Sequence, residues 1–390
     1  MNILYLTQRY AEGNGGYQYE LLPALTASGH QVTLVTADAD FTRGEPSDIE
    51  VLSTNAIKTE KTGLLHKALA QFIMPIRLRR FVRKKLRGRT YDLVLVATPP
   101  ITFASLFAYC KRHFKCKTLL MLKDIFPQGA ADLKYIGENG LIYHLYAGIE
   151  KRLYKTADYI GYTSLGNRDY LLKHNHYLDS KRLVYIPNAM RERDGGPDPT
   201  IREELGLREN ETICLFGGNL GVPQHVELLL AAFQKCRLPD VRFVLCGAGS
   251  EYDHVFNYVK EQELHHVTMI RYLPYDQYER LLSTVDICLL TLSPAFTIPN
   301  TPDKLTAYLA YGKPIVAATD TATDIGSILK DANAGLWNCS NEPLDFVKNI
   351  LLLVNSPSLR KTMGINGRSY FERNLRVESV IDQIEQITRK

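Results

Sequence analysis

The chain is short of several things, and each shortage excludes a class of protein. No apolar run approaches the ~18–20 residues that a membrane-spanning helix needs. The opening Met1-Asn-Ile-Leu-Tyr-Leu6 is too short for a signal peptide. Seven cysteines lie scattered through 390 residues, with no C-x-x-C pair and no Cys/His cluster at metal-ligand spacing. Cys214, Cys246 and Cys288 sit inside apolar, strand-like runs and read as buried thiols in a reducing compartment. A disulfide scaffold, a zinc module and a membrane-spanning protein are therefore disfavoured, and the expected location is the cytoplasm. No acid cluster is suitably placed for a metal, and Asp38-Ala-Asp40 is too generic to serve as one. No metal or cofactor is expected.

Acids are also nearly missing from residues 58–89. Lys58, Lys61, Lys67, Arg77, Arg79, Arg80, Arg83, Lys84, Lys85, Arg87 and Arg89 accompany a single Glu60 there. Leu64, Leu65, Leu69, Phe72, Ile73, Ile76 and Phe81 are interleaved with them. This is the make-up of a basic amphipathic segment that lies on anionic membrane surfaces. A solvated helix face and a nucleic-acid patch are the competing readings. Stacking aromatics are few and no nucleic-acid motif accompanies the stretch, so no nucleic-acid partner is expected.

Strand-helix alternation, by contrast, fills the chain. The length exceeds one ordinary domain, and 45% apolar with 23% charged residues is the composition of a soluble globular protein. Residues 2–7 read as a strand, followed by Gly13-Asn-Gly-Gly16, a helical run over 17–27, Gly29 and a second strand over 31–36. A glycine turn at a strand's C-terminal end is where open α/β sheets bind ligands, and glycines let phosphate approach the backbone amides. Further strands are read at 92–97 and 117–122. The second ends in Lys123-Asp124, a base and an acid placed for chemistry. A cap on the following segment is the other reading of Asp124.

The polar Gly/Pro stretch 191–200 marks a boundary between a first domain, 1–190, and a second, 201–368. The alternation then restarts. A strand at 213–216 runs into Gly217-Gly-Asn-Leu-Gly221, Arg242-Phe-Val-Leu-Cys246 into Gly247-Ala-Gly249, and 267–270 into Arg271-Tyr-Leu-Pro274. The expected class is α/β, with two doubly wound halves. The most informative stretch follows the strand 287–292. A loop carries Pro294, Pro299 and Pro302, then a helix is expected with Thr301 as its N-cap and Pro302 at its first position. Gly312 stops the helix and Pro314 opens another buried strand. Lys304 falls in the first turn, where a cation opposes the helix dipole unless an anion arrives. Either it is solvated or it serves an anion site.

The ordered set of a Gly-Gly turn, Ile-Pro-Asn, Phe-Gly-Gly-Asn-Leu-Gly, Cys-Gly-Ala-Gly and Pro-Asp-Lys-Leu-x-x-Tyr-x-Ala-x-Gly-Lys-Pro covers nearly the whole chain. It resembles the retaining, family 4 nucleotide-sugar glycosyltransferases, and within them the transferases of O-antigen and capsule repeat units. The resemblance implies two Rossmann-like domains facing a cleft (the GT-B architecture), with residues 369–390 as a helix crossing back to the first domain. It implies a hexosyl or N-acetylhexosaminyl transferase that uses a nucleotide-sugar, a UDP-sugar by preference. The acceptor would be a polyprenyl-diphosphate-linked saccharide at the inner face of the cytoplasmic membrane. Gly15 and Gly16 would face the donor diphosphate, with Gly217, Gly218, Asn219 and Gln224 opposite. Gly247, Arg271 and Leu273 would border the base, and Thr301, Pro302, Asp303, Lys304 and Leu305 would meet phosphate and ribose. Lys304 and Asp124 would be catalytic. Lys123, with Arg79, Arg80, Arg83, Lys84 and Lys85, would serve acceptor and membrane.

The chain departs from the family pattern at Asn219 and Gln224, where many relatives carry Arg and Lys. Pro299 and Ala307 stand where acids are usual, and Lys123-Asp124 replaces a common His. With Ala307 unable to hold the ribose, Asp303 is the expected substitute. Two other classes remain open on these residues: a sugar-nucleotide epimerase of the same architecture, and a catalytically silent assembly partner.

Overall fold

A computed structural model describes residues 1–11, 16–40, 48–54, 64–193 and 196–389, with backbone alone at 11, 40 and 64–69. The chain divides into two compact units, Met1–Pro187 with Val377–Lys390, and Asn188–Arg376.

Unit 1 is built on seven strands: β1 (Asn2–Ala11), β2 (Gln31–Asp40), β3 (Glu50–Ser53), β4 (Leu93–Ala97), β5 (Lys117–Leu122), β6 (Tyr159–Tyr162) and β7 (Leu183–Tyr185). Their order is β3-β2-β1-β4-β5-β6-β7, and every pairing is parallel. Ile3, Leu4 and Leu6 in β1 and Leu93–Val96 in β4 are fully buried. Helices cover both faces of such a sheet, which is why its central strands read as unbroken apolar runs.

Unit 2 carries β8 (Thr212–Gly217), β9 (Val241–Cys246), β10 (Val267–Ile270), β11 (Ile287–Thr291), β12 (Ile315–Thr319) and β13 (Gly335–Cys339), in the order β10-β9-β8-β11-β12-β13. Alternate residues of one strand feed two separate cores. Ile213 and Leu215 of β8 face one, while Cys214 and Phe216 face the other. Both units are thus doubly wound α/β domains, as the alternation predicts.

Several boundaries differ from expectation. β1 and β2 each run four residues further than read, to Ala11 and Asp40. Unit 1 closes at Pro187 rather than 190, and unit 2 runs to Arg376 rather than 368. The single terminal helix expected from 369 is two helices, Pro357–Asn374 in unit 2 and Val377–Arg389 in unit 1. The break has a cause within unit 2. The Met190 N–H donates to the Leu375 carbonyl (3.1 Å), and Met190 pairs with Arg376 in an isolated parallel bridge, so the backbone is extended there. Helix Val377–Arg389 buries Val377, Val380, Ile381, Ile384 and Ile387 and packs on helix Tyr17–Ala27.

The basic stretch forms one helix, Leu64–Lys85. Ala70, Met74, Leu78 and Val82, with Leu86 just beyond, are buried at every fourth position. Arg79, Arg80, Arg83, Lys84 and Lys85 are exposed. Lys58, Glu60 and Lys61 lie outside the described residues. Among the described residues no helix is long and apolar enough to cross a membrane.

Candidate functional site

In unit 2 the chain leaves the neighbouring strands β8 and β11 toward opposite sides of the sheet, so the strand order reverses between them. Such a switch point opens a crevice at the strands' C-terminal ends. The Gly217–Gly221 turn follows β8, and the loop to helix Asp303–Ala310 follows β11. The two segments expected to meet the donor therefore leave adjacent strands.

The glycine turns stack backbone on backbone. The Gly218 N–H donates to the Cys246 carbonyl and that of Leu220 to the Ala248 carbonyl, each at 2.9 Å. Gly218 has φ +114° and Gly247 φ +155°, and a Cβ on Gly247 would stand 1.8 Å from the Gly218 carbonyl oxygen. Glycine is required at both positions, once by conformation and once by contact. The Gly217 N–H donates to Tyr308 Oη (3.2 Å), and Tyr308 in turn bonds Tyr278 in the core. Burial pushes both phenols well above the usual tyrosine range.

Lys304 arrives against this turn. Its stem is half-buried, but Nζ is shut off from solvent, lies 4.0 Å above the Phe216 ring and has no hydrogen-bond partner among the described residues. A Cβ on Gly218 would be 3.5 Å from that nitrogen. Burial pushes the Lys304 pKa down to about 7. Three residues earlier, Thr301 Oγ1 is also buried with no partner among the described residues. A buried donor left unpaired costs about 1–3 kcal/mol, and more for a charged group. Two of them at one helix start fit an anion's oxygens far better than they fit an empty interior.

The loop before the helix is tied down by a residue to which sequence reasoning gave no role. Asn188 is buried, and its Nδ2 donates to the Thr301 carbonyl (2.6 Å). Thr306 Oγ1 donates back to the Asn188 carbonyl (2.7 Å). The Ile-Pro-Asn motif was the available signal, although its partner lies 113 residues away.

Thr301 does not cap the helix, contrary to the expectation. The helix begins at Asp303, and Pro302 is the capping residue, at ψ 146° with its carbonyl accepting from the Leu305 N–H (3.1 Å). Asn188 holds the Thr301 carbonyl, and the Thr301 hydroxyl bonds no amide of the helix.

The remaining residues expected to meet the donor have these surroundings. Asn219 Nδ2 donates to Gln224 Oε1 (3.2 Å), which also accepts from the Gly221 N–H, so this pair closes the turn. Leu305 is fully buried in the core, and Leu273 packs on the same core half-buried. Arg271 is exposed, ion-paired with Asp253 and 4.2 Å above the Tyr252 ring. Asp303 is exposed in the first helical turn.

In unit 1, Gly15 lies outside the described residues. Gly16 adopts φ +93° directly before helix Tyr17–Ala27. Lys123 Nζ sits 3.1 Å above the Tyr17 ring centroid. Thr98 Oγ1 accepts from the N–H groups of Lys123 (3.0 Å) and Asp124 (3.2 Å), pinning the loop after β5 to the end of β4. Asp124 is exposed there. Among the described residues no group of three or more His, Cys, Asp or Glu is placed to hold a metal ion.

Comparison with known proteins converges on one family. Residues 13–191 match the model of Glycosyltransferase Family 4, and residues 197–370 that of Glycosyl transferases group 1. WbjE of Pseudomonas aeruginosa, a probable glycosyltransferase, is 26% identical over 301 residues, 75% of this chain and 73% of its own. WcaI of Escherichia coli, a putative colanic acid biosynthesis glycosyl transferase, is 21% identical over 95% of each chain. The structure of Anabaena HepE in complex with UDP and glucose superposes with a TM-score of 0.71 at 16% identity, over 100% of this chain and 99% of that one, a likeness of fold. Two doubly wound units, paired glycine turns at the switch point of the second, and family models spanning both identify the chain as a member of the family 4, group 1 glycosyltransferases of GT-B architecture.

Proposed function

We propose that the chain is a retaining glycosyltransferase that moves a sugar from a nucleotide-sugar to a saccharide carried on a lipid diphosphate. Bacterial surface polysaccharide of the O-antigen or capsule type is the proposed product. One observation carries the donor half of this reading: the buried Lys304 ammonium beside the Gly218 backbone, which no described residue partners. It asks for a group with full negative charge, and a nucleoside diphosphate has one.

A sugar leaving a nucleotide diphosphate builds positive charge at its anomeric carbon and negative charge on the departing phosphate. Catalysis is then mostly positioning and stabilisation of the leaving group. Lys304 supplies a full charge, the helix start at Asp303 a partial one, and the backbone of Gly217 and Gly218 a close approach. Arg271 and Leu273 are proposed to border the base and Asp303 to hold the ribose. In unit 1, Asp124 and Lys123 are proposed to meet the acceptor. A UDP-sugar is the favoured donor because HepE was solved with UDP. A surface polysaccharide is favoured by likeness to WcaI. The exposed cations of helix Leu64–Lys85 support a lipid acceptor at the inner membrane face.

The test is incubation of purified protein with a panel of UDP-sugars, with and without a polyprenyl-diphosphate-linked sugar. A new lipid-linked saccharide with retained anomeric configuration is expected only when both are present. Conversion of the UDP-sugar without acceptor would make the protein an epimerase. No conversion under any pairing would make it a silent assembly partner.

A further inference from the structure

Helix Leu141–Thr156 carries an apolar ridge for which the donor and acceptor assignments have no use. Leu141, Ile142 and Leu145 are 86%, 56% and 54% exposed. Further along, the same helix buries Leu153 and Tyr154. The exposed apolar residues are thus confined to its first two turns, away from the buried Leu153 and Tyr154. Beside them, the Phe72 and Tyr146 ring centroids are 6.0 Å apart, which brings the ridge against helix Leu64–Lys85. Both helices also pack on the turn Ile101–Phe103.

On that second helix Phe72 and Ile76 are 37% and 51% exposed. Arg79 and Arg83 continue the same helical stripe at the seventh and eleventh positions after Phe72. The helix holds no acid along its whole length. Single exposed apolar side chains are ordinary. Apolar side chains meeting across two helices, with cations of one sign on their flank, mark an interaction surface.

We propose that this two-helix ridge inserts into an anionic bilayer. Helix Leu141–Thr156 supplies the apolar wedge, and helix Leu64–Lys85 the cationic anchor with Phe72 and Ile76 beside it. The charge chooses the occupant, because the flank on helix Leu64–Lys85 carries basic charge alone and complements anionic headgroups, and leucine and isoleucine suit the acyl boundary beneath them. The two parts differ in their response to salt. Screening weakens the cationic anchor over roughly 10 Å at 0.1 M, whereas the apolar wedge is unaffected. The biological use of the surface rests on the lipid-acceptor reading, but its existence is measured without donor or acceptor.

The probe is a flotation assay with vesicles of equal parts phosphatidylglycerol and phosphatidylcholine, at low and high salt. The triple variant Leu141→Ser, Ile142→Ser, Leu145→Ser should lose at least ten-fold in partitioning, and most at high salt, where the parent still binds. Transfer to a water-soluble acceptor analogue should be unchanged, which separates lost docking from lost catalysis. A second variant, Leu145→Trp, reports insertion directly. The chain has one tryptophan, Trp337, which lies in unit 2, so the parent supplies the background. A blue shift on vesicles and quenching by brominated lipid are expected. Equal flotation of parent and triple variant, or an introduced indole whose emission is indifferent to brominated lipid, overturns the proposal. So does a parent that is dimeric without vesicles and a triple variant that is monomeric, since the ridge would then join two copies of the chain.

Discussion

Lys304 is a cation held where a cation is costly, and two measurable consequences follow. The first is stability against pH. Its folded pKa of about 7 lies below the ordinary 10.5 of an unfolded lysine. Between those values the unfolded chain keeps the proton and the folded, ligand-free chain gives it up. Stability should therefore rise with pH from about 7 toward 10.5. Lys304→Met should flatten that slope and raise the melting temperature at neutral pH, and a variant as pH-sensitive as the parent would refute it. The second is linked protonation. An anion restores the ammonium, so nucleotide diphosphate binding at pH 8 should take up a proton, and affinity should fall as pH climbs above 7. Calorimetry in buffers of different ionisation enthalpy measures the uptake. Lys304→Ala should weaken donor use by roughly 1.5–3 kcal/mol, the range of a charge-assisted contact, and leave acceptor use intact. Unchanged donor kinetics would exclude the contact. Gly247→Ala tests the turn itself, because its Cβ would land on the Gly218 carbonyl oxygen at 1.8 Å. A loss of roughly 2–5 kcal/mol is expected in urea unfolding, from overpacking plus backbone strain.

Elements were legible in the sequence where their pattern was local. The strand 315–318, the helix 17–27 and the glycine turns after β8 and β9 announce themselves by apolar runs and glycine spacing. β3 and β13 escaped notice because each is a short edge strand of mixed polarity, Glu50-Val-Leu-Ser53 and Gly335-Leu-Trp-Asn-Cys339. The helix starts at Asp303, one position later than its sequence signals indicate. Thr301 has the side chain of a cap, but its carbonyl is held by Asn188 from far along the chain and its hydroxyl bonds no helix amide. Half of the candidate site was therefore readable, as Lys304 against its own dipole and glycines after strands. The remainder, Asn188, Thr306 and Tyr308, depends on contacts between distant residues that spacing does not encode. Asn188→Ala should loosen the 292–302 loop and cost about 1–3 kcal/mol in donor binding. Asn188→Asp should cost more, since a carboxylate faces the Thr301 carbonyl with no hydrogen to donate. An Asp variant better than Ala would contradict the bond.

At the scale of the whole molecule, charge is concentrated where the proposed ligands are charged. The net +5 is modest, yet helix Leu64–Lys85 ends in Arg79, Arg80, Arg83, Lys84 and Lys85 and holds no acid of its own. Changing these five to Gln should reduce flotation with anionic vesicles and reduce transfer to long-chain lipid acceptors, while sparing a water-soluble analogue. Equal flotation would return the helix to a solvated face. The positive charge that the leaving diphosphate needs is proposed to come from Lys304 and from backbone amides. Turnover is accordingly expected to continue in excess EDTA, and activity lost to EDTA and restored by magnesium or manganese would show that assignment to be incomplete.

The return of Val377–Arg389 to unit 1 has a bearing on biosynthesis. As the chain leaves the ribosome, residues 188–376 emerge as one uninterrupted piece and can close their sheet at once. The unit begun first must wait, with the outer flank of helix Tyr17–Ala27 uncovered, until helix Val377–Arg389 is made and packs against it. Of the two units, the one begun first is then completed second. A nascent chain paused before residue 377 would present a native unit 2 together with a bare apolar seam on unit 1, the kind of surface that a chaperone holds and that a truncated product would carry permanently.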